Sequence, residues 1–233
     1  MTLTVAMITG NENVDQLLRL SIRQSQRIAD EVLVVDSSTD GTGEVAEEEG
    51  ARVVRRAWPG DYSLQRNAAF AAARGDWVCM VDADEVLDDR LVDVWPDFVN
   101  GQRSLLLPTY NFTRQEDGVV RVRLGIESAQ PWYPDEHLRL LRRSPYVWFH
   151  SALHEWPIGA VYPQDTLPFH IYHYGWARRM EILEDRIRRR NAESLALGGH
   201  GSHSLAEPFS DNDEFGGEHP RIMAESGWLE DAR

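Results

Sequence analysis

The stretch Trp77-Val78-Cys79-Met80-Val81-Asp82-Ala83-Asp84-Glu85 sets a short apolar run directly against three acids. A buried parallel strand has this composition when its carboxyl end opens into a crevice, and open α/β sheets bind their ligands there. Asp82 and Asp84, split by the small Ala83, can present oxygens to a hard divalent cation that also holds phosphates. The plainer reading is a strand running into a helix cap, because Asp-rich turns commonly start helices. The chain on either side has to decide between the two.

Upstream, strand and helix signals alternate. Leu3 to Ile8 is apolar and β-branched, and Thr9-Gly10-Asn11-Glu12-Asn13 breaks it. Val14, Leu17, Leu18, Ile22 and Ile28 then recur at helical spacing among Arg and Gln. Glu31 to Val35 reads as a second buried strand ending at Asp36. Ser37 to Thr42 is turn chemistry, in which Asp40 or Thr42 caps an acidic helix through Glu49. Gly50 stops that helix, Ala51 to Arg55 makes a third strand, and the Ala-rich Tyr62 to Arg74 a third helix ended by Gly75. Four strands separated by three helices predict βαβ units and a mostly parallel sheet.

That order also places the polar residues. Thr9, Asn11 and Glu12, then Asp36, then Asp82 to Asp84 all follow the carboxyl ends of strands, so they share the sheet edge where a nucleotide would lie. No Gly-x-Gly-x-x-Gly or Gly-x-x-x-x-Gly-Lys-Ser/Thr loop is present, which disfavours a dinucleotide fold or a P-loop. Phosphates would instead need a metal and arginine side chains. Arg66, in Gln65-Arg66-Asn67, is a candidate, with a solvated helix face as the alternative.

Composition bounds the function. A length of 233 residues allows one large domain or two small ones. The net charge of −14 argues against a nucleic-acid binder that works by neutralising phosphates. It leaves a nucleotide ligand open, because a bound metal inverts the local field. Every basic residue is Arg and none is Lys, which reads as the coding bias of a GC-rich genome. The single Cys79 sits in the apolar run, so disulfides play no part and a reducing, cytoplasmic setting is expected. The chain opens on a strand with no basic leader or long apolar segment, so neither secretion nor a membrane span is expected. Asn111-Phe112-Thr113 is then a chance match to a glycosylation site.

Taken together, Val34 to Thr42 (Val-Val-Asp-Ser-Ser-Thr-Asp-Gly-Thr), Gln65-Arg66-Asn67, Gly75-Asp76-Trp77 and Asp82-Ala83-Asp84-Glu85 resemble a family 2 glycosyltransferase of the GT-A fold, in order and spacing. Trp132-Tyr133-Pro134-Asp135 with Leu138 to Arg143, His154-Glu155 and His173-Tyr174 are similar to elements of a bacterial subgroup that acts on saccharide acceptors. The likeness ends near Asn191. It implies a Rossmann-like, mostly parallel α/β sheet with flanking helices, a small antiparallel acceptor-side extension and a C-terminal helical tail. It also implies transfer, with inversion, of a sugar from a nucleotide diphosphate to an acceptor hydroxyl, with Mn²⁺ or Mg²⁺ bridging the phosphates as a Lewis acid. In that scheme Asp84 ligates the metal directly, while Asp82 leans toward the ribose and reaches the metal through water. Asp36, with Ser38 beside it, takes the ribose or base edge, and Thr9, Asn11 and Glu12 line the nucleoside pocket. Arg66 approaches the base or the diphosphate. His173 is the further metal ligand, as a His near this point is in some GT-A enzymes, and imidazole suits Mn²⁺ better than Mg²⁺.

The second hundred residues should build the acceptor side. Leu105 to Phe112 and Val119 to Leu124 are strand-like around the turn Gln115-Glu116-Asp117-Gly118, a hairpin pattern. Gln130 to Pro134 reads as a rigid loop whose Trp132 and Tyr133 suit stacking on sugar rings, with plain packing as the alternative. Displacement with inversion needs a general base within hydrogen-bond reach of the acceptor hydroxyl. Asp135 is the first choice, where family members carry a Glu-Asp pair. The order here is Asp135-Glu136, which leaves both open, and Glu155 is the runner-up.

Arg178 to Leu197 reads as a last long helix. Met180, Leu183 and Ile187 give it an apolar stripe, and Arg178, Arg179, Arg186 and Arg188 to Arg190 a basic one, by default a solvated face. Residues 198–217 are expected to be a mobile lid or linker. Ile222, Met223, Trp228 and Leu229 suffice to dock a short helix, over the donor or on a second protomer of a homodimer. The expected division is a domain over 1–197 followed by a tail over 198–233. Within the domain, 1–100 is the nucleotide-sugar half, 101–175 the acceptor side and 176–197 the helix. A nucleotidyltransferase is the first rival reading, weakened by the lack of a Gly-rich basic loop after the first strand. A non-catalytic sugar- or nucleotide-binding module is the second. Saccharides, natural products and proteins all stay open as acceptors.

Overall fold

A computed structural model describes residues 1–13, 16–99, 104–114, 118–123, 133–160, 165–197, 212–213, 215 and 217–230. The first part alternates as expected: β1 (Leu3–Thr9), α1 (Leu17–Gln26), β2 (Glu31–Asp36), α2 (Thr42–Glu48), β3 (Arg52–Arg55), α3 (Tyr62–Ala72) and β4 (Trp77–Met80). These four strands lie in the order β3-β2-β1-β4 and are all parallel. Their continuous apolar runs follow from cover on both faces. Val5, Met7, Val34, Trp77 and Cys79 face α1 and α2 through Leu18, Ile22, Val45 and Ala46. Ala6, Leu33, Val35, Val78 and Met80 face α3 through Ala69 and Phe70. Each fully buried Val, Leu, Ile, Met or Phe among them contributes about 1.5–3 kcal/mol. Asp61 starts α3 by accepting the Leu64 N–H at 3.1 Å.

After β4 the acids do not cap a helix. The Glu85 N–H donates to the Asp82 carbonyl at 3.0 Å, and the chain enters β5 (Glu85–Leu87) before α4 (Leu91–Phe98). The strands β6 (Ser104–Arg114) and β7 (Val120–Arg123) form the expected antiparallel pair. The turn between them falls, at Gln115 to Asp117, outside the described residues. One strand is unexpected. Asp135–Arg142 forms β8, antiparallel to both β4 and β6 and lying between them. Its pairing Val78↔Leu141 and Thr109↔Asp135 joins the two halves into one sheet, β7-β6-β8-β4-β1-β2-β3.

The strands β9 (Trp148–His150) and β10 (Trp156–Ile158) form a separate two-stranded ribbon. The strand β11 (Asp165–Thr166) pairs with β6. The strand β12 (Ile171–Trp176) pairs parallel with β6 and antiparallel with β5, setting His173 beside both Asn111 and Glu85. Then come α5 (Met180–Ala196), β13 (Asn212–Asp213) beside β7, and α6 (Arg221–Ser226). The last helix does dock: Met223 and Trp228 are buried against Leu17, Leu20, Phe112, Tyr172 and Tyr174. Most of the span 198–217, read from the sequence as a lid or linker, lies outside the described residues. Among the described residues no helix is long and apolar enough to cross a membrane.

Candidate active site

The acids after β4 are held by a residue to which sequence reasoning assigned no role. Glu85 is 2% exposed. Its Oε2 accepts the Asp82 N–H at 2.8 Å, and its Oε1 accepts Arg139 Nη2, from β8, at 2.6 Å. Burial pushes the Glu85 carboxyl up, with Arg139 pulling the other way. A buried charge must be paired and hydrogen-bonded, and this pair ties the turn to the neighbouring strand. The signal was present in the sequence as a lone Arg inside Leu138-Arg139-Leu140-Leu141, but only a strand assignment would have exposed it.

Asp82 and Asp84 face different partners. Asp82 Oδ1 accepts from Arg66 Nη2 at 2.8 Å, while Arg66 Nε donates to Glu155 Oε1. Burial opposes ionisation of Asp82, but Arg66 and Arg139 outweigh it and hold the carboxyl well below its ordinary range. Arg66 is therefore a buried bridge, not a solvated helix face. Asp84 is 2% exposed, with Oδ2 against the Arg186 guanidinium and Oδ1 3.6 Å from His173 Nε2. Burial again opposes its charge, and Arg186 and His173 hold it low.

From His173, beside Asp84, a hydrogen-bonded line leads to β8. Asn111 Nδ2 donates to Asp135 Oδ2 at 3.0 Å, so its Oδ1 faces His173 Nδ1, 2.7 Å away. Nδ1 then carries a proton, and Nε2, facing Asp84, is the nitrogen that offers a lone pair to a cation once it gives up its own. Asp84 and His173 are thus able to hold a divalent cation between a carboxylate and an imidazole. Gly175 makes room for the pair, since a Cβ there would stand 2.6 Å from His173 Nε2. Among the described residues no cluster of three or more His, Cys, Asp or Glu side chains is arranged to hold a metal. Two protein ligands suffice where substrate phosphates and water complete the shell.

The residues expected to face a nucleoside also gather at this edge. Asp36 is buried; its Oδ1 accepts from Thr9 Oγ at 2.8 Å and its Oδ2 from Ser38 Oγ at 2.9 Å. Asn11 Oδ1 accepts the Thr39 N–H at 2.8 Å. Glu12 donates its N–H to Thr42 Oγ at 2.8 Å, and its Oε2 accepts from Arg178 Nη2 at 2.8 Å. Ala83 is buried between the two acids.

The three carboxylates considered as bases separate. Asp135 lies 3.0 Å from His137 Nε2 and holds Asn111; burial opposes its charge, but His137 and Asn111 keep it low. Glu136, next along β8, alternates to the other face and accepts from Thr166 Oγ at 3.0 Å. Glu155 is engaged by Arg66. Tyr133 stacks on Tyr110 with ring centres 4.6 Å apart, and its hydroxyl is 2.8 Å from His170 Nε2. Trp132 lies outside the described residues.

The basic stripe before and along α5 divides. Arg178 and Arg186 are 1% and 9% exposed and reach Glu12 and Asp84, against the expectation of a solvated face. Arg188 and Arg189 do face solvent, paired with Asp185. Position alone could have singled out Arg186. It follows buried Leu183 by three residues, so it shares that side of the helix.

Known proteins share this arrangement of chain. Residues 4–185 match the model of the family Glycosyl transferase family 2. A TPR repeat-containing protein of Synechococcus elongatus is 30% identical over 204 residues, covering 80% of this chain and 44% of that protein. An uncharacterized glycosyltransferase of Rickettsia bellii is 43% identical over 88 residues, 37% of this chain and 29% of its own length. The low-salt glycan biosynthesis hexosyltransferase Agl6 of Haloferax volcanii is 40% identical over 107 residues, 44% of this chain and 25% of that one. The chain spans less than half the length of each of these relatives. In fold it resembles the crystal structure of S. aureus TarS 1-349, with a TM-score of 0.52 at 18% identity over 87% of this chain and 68% of that chain.

Proposed function

The chain belongs to glycosyl transferase family 2, and on that footing we propose that it transfers a sugar from a nucleotide diphosphate to an acceptor hydroxyl, with inversion and with Mn²⁺ or Mg²⁺. The observation that carries this reading is the line Asp84–His173–Asn111–Asp135, which runs from the nucleotide edge to the acceptor side. A divalent cation on Asp84 and His173, when bound, stabilises the negative charge of the departing diphosphate as a Lewis acid.

The remaining work belongs to the chain's own residues. Asp36, Ser38, Thr9, Asn11 and Glu12 receive the nucleoside, and Asp82, steadied by Arg66, turns to the ribose hydroxyls. Asp135 is ionised at neutral pH because its partners keep its carboxyl low. It accepts the acceptor's hydroxyl proton as that oxygen bonds to the anomeric carbon. The bond from the same carbon to the phosphate oxygen breaks, its electron pair leaves with the nucleoside diphosphate, and displacement from the opposite side inverts the centre. Glu136 faces away and Glu155 is committed to Arg66, so neither competes for this role. A non-catalytic module would have all three acids turned from the donor site, and the Asn111 link of Asp135 to His173 speaks against it. Tyr133 belongs to the aromatic packing around Tyr110, and Trp132 is the residue left to stack on an acceptor. UDP, GDP and dTDP sugars are all open as donors, as are saccharide, natural-product and protein acceptors. The single, buried thiol of Cys79 suits a cytoplasmic setting.

The test is a panel of nucleotide sugars, with and without Mn²⁺, followed by thermal shift and by transfer or hydrolysis. A nucleoside diphosphate should stabilise the protein only with metal present, and the reading fails if none does. Asp135→Asn should lower kcat by about a hundredfold or more with donor affinity kept. An equal loss of donor binding would make Asp135 a binding residue instead.

A further inference from the structure

Arg186 stands where the proposed cation would have to go. Its guanidinium lies against Asp84 Oδ2 with 10% of the side chain exposed. Its buried Nη1 makes no hydrogen bond and is 3.8 Å from Glu12 Oε2, the oxygen that Arg178 already holds at 2.8 Å. A buried donor left without a partner is costly, whereas an arginine fork paired with phosphate oxygens is among the stronger contacts available. The geometry therefore leaves one guanidinium with a replaceable partner and an unused donor, both at the nucleotide edge.

Charge then selects the partner. Without a metal, buried Asp84 needs a counter-charge, and Arg186 is the nearest one. A divalent cation at Asp84 would replace that service and repel the guanidinium. The donor's diphosphate brings the negative charge that makes the two cations compatible. We infer that Arg186 is a diphosphate-binding residue that exchanges partners, pairing with Asp84 before the donor binds and turning to the donor phosphates when a divalent cation takes its place. The inference rests on the donor and metal reading proposed above. It makes Arg186 a competitor of the metal alone and a helper of the metal–diphosphate pair, so the two ligands bind cooperatively.

The two roles have opposite signs in binding, which a merely structural residue would not show. Mn²⁺ is titrated into the full chain by electron paramagnetic resonance without nucleotide. UDP, GDP and dTDP are each titrated by calorimetry in saturating Mn²⁺. Arg186→Gln should bind Mn²⁺ alone several-fold more tightly and the preferred diphosphate about tenfold or more weakly. Arg186→Lys, which keeps the charge and loses the fork, should recover part of the diphosphate affinity. Arg188→Gln, on the solvent side of the same helix, should move neither.

A folded Arg186→Gln with unchanged or weaker Mn²⁺ binding, or with unchanged diphosphate binding, overturns the inference while the donor reading stands. If that variant does not fold, Arg186→Lys carries the test, and wild-type diphosphate affinity in it overturns the inference. A wild-type chain that binds no nucleoside diphosphate even with Mn²⁺ overturns the donor reading and this inference together.

Discussion

Gly175→Ala is a change of one methyl group that should separate the site from the fold. Gly175 is not among the residues with positive φ, so its backbone accepts alanine and the new carbon is the whole perturbation. That carbon would meet Asp84 Oδ2, lie 3.0 Å from Asp84 Cγ and stand 2.6 Å from His173 Nε2. Ordinary non-bonded contact begins near 3.5 Å, so the imidazole would have to retreat by about 1 Å. Both neighbours are ends of side chains and can yield, which keeps the stability cost near that of mild overpacking, about 1–3 kcal/mol. The site tolerates less, since ligand geometry must hold to within about 0.5 Å and a misplacement of about 1 Å costs roughly a hundredfold in rate. Thermal and denaturant unfolding would give the first quantity, Mn²⁺ titration and transfer assays the second. The expected result is a folded variant with at least about tenfold weaker Mn²⁺ binding and about a hundredfold slower transfer. A folded Gly175→Ala that binds Mn²⁺ as the wild type does would show that Asp84 and His173 do not act as a pair, and the metal site would have to be sought elsewhere.

Two further outcomes test the frame around the site. Arg139→Ala takes from buried Glu85 its counter-charge and the donor to its Oε1, and should destabilise the protein by about 3–5 kcal/mol in denaturant unfolding; a loss under about 1 kcal/mol would mean that the pair does not hold the turn. Burial pushes His219 down to about 4 from 6.5, so between those values the unfolded chain binds a proton that the folded chain refuses. Its contribution is therefore constant above pH 6.5 and falls as pH drops toward 4, by at most about 3 kcal/mol. His219→Phe should remove that slope when unfolding free energies at pH 7 and pH 5 are compared, and an unchanged slope would assign it to other groups.

How far the sequence was legible depends on where each signal resides. Buried parallel strands show as continuous apolar runs, and helices announce their ends with Gly and Asp, so β1 through β4 and their helices were legible to within about three residues. The gathering of Thr9, Asp36 and the acids after β4 at one edge of the sheet followed from that order. The strand β8 was not legible, because Asp-Glu-His-Leu-Arg-Leu-Leu-Arg lacks a clean period and becomes a strand through pairing with distant β4 and β6. The choice between Asp135 and Glu136 depended on that strand, since only alternation across a pleat sends them to opposite faces. Arg178 and Arg186 were read as solvated for a related reason. The place of Arg186 three residues after Leu183 was a local sign that it turns inward, but its partner Asp84, like Glu12 for Arg178, lies far upstream, where no local pattern points.

The insertion of β8 between β4 and β6 has a mechanical consequence. Strand pairing runs from Val78↔Leu141 on β4 to Thr109↔Asp135 on β6, with one register shift between Leu105 and Leu106 that passes over Arg139. The proposed base, on β8, is thereby tied through strand pairing to β4, the strand that leads into Asp82 and Asp84. A change of register is the step by which paired strands move relative to one another. A one-residue slip of β8 would exchange Asp135 for Glu136 on the reacting face, and a two-residue slip would carry the base one side chain further from the metal. Enzymes that close two lobes on a substrate can adjust this gap with each turnover. On the reading proposed above, strand pairing sets this gap here, and an acceptor would be chosen by what fits it.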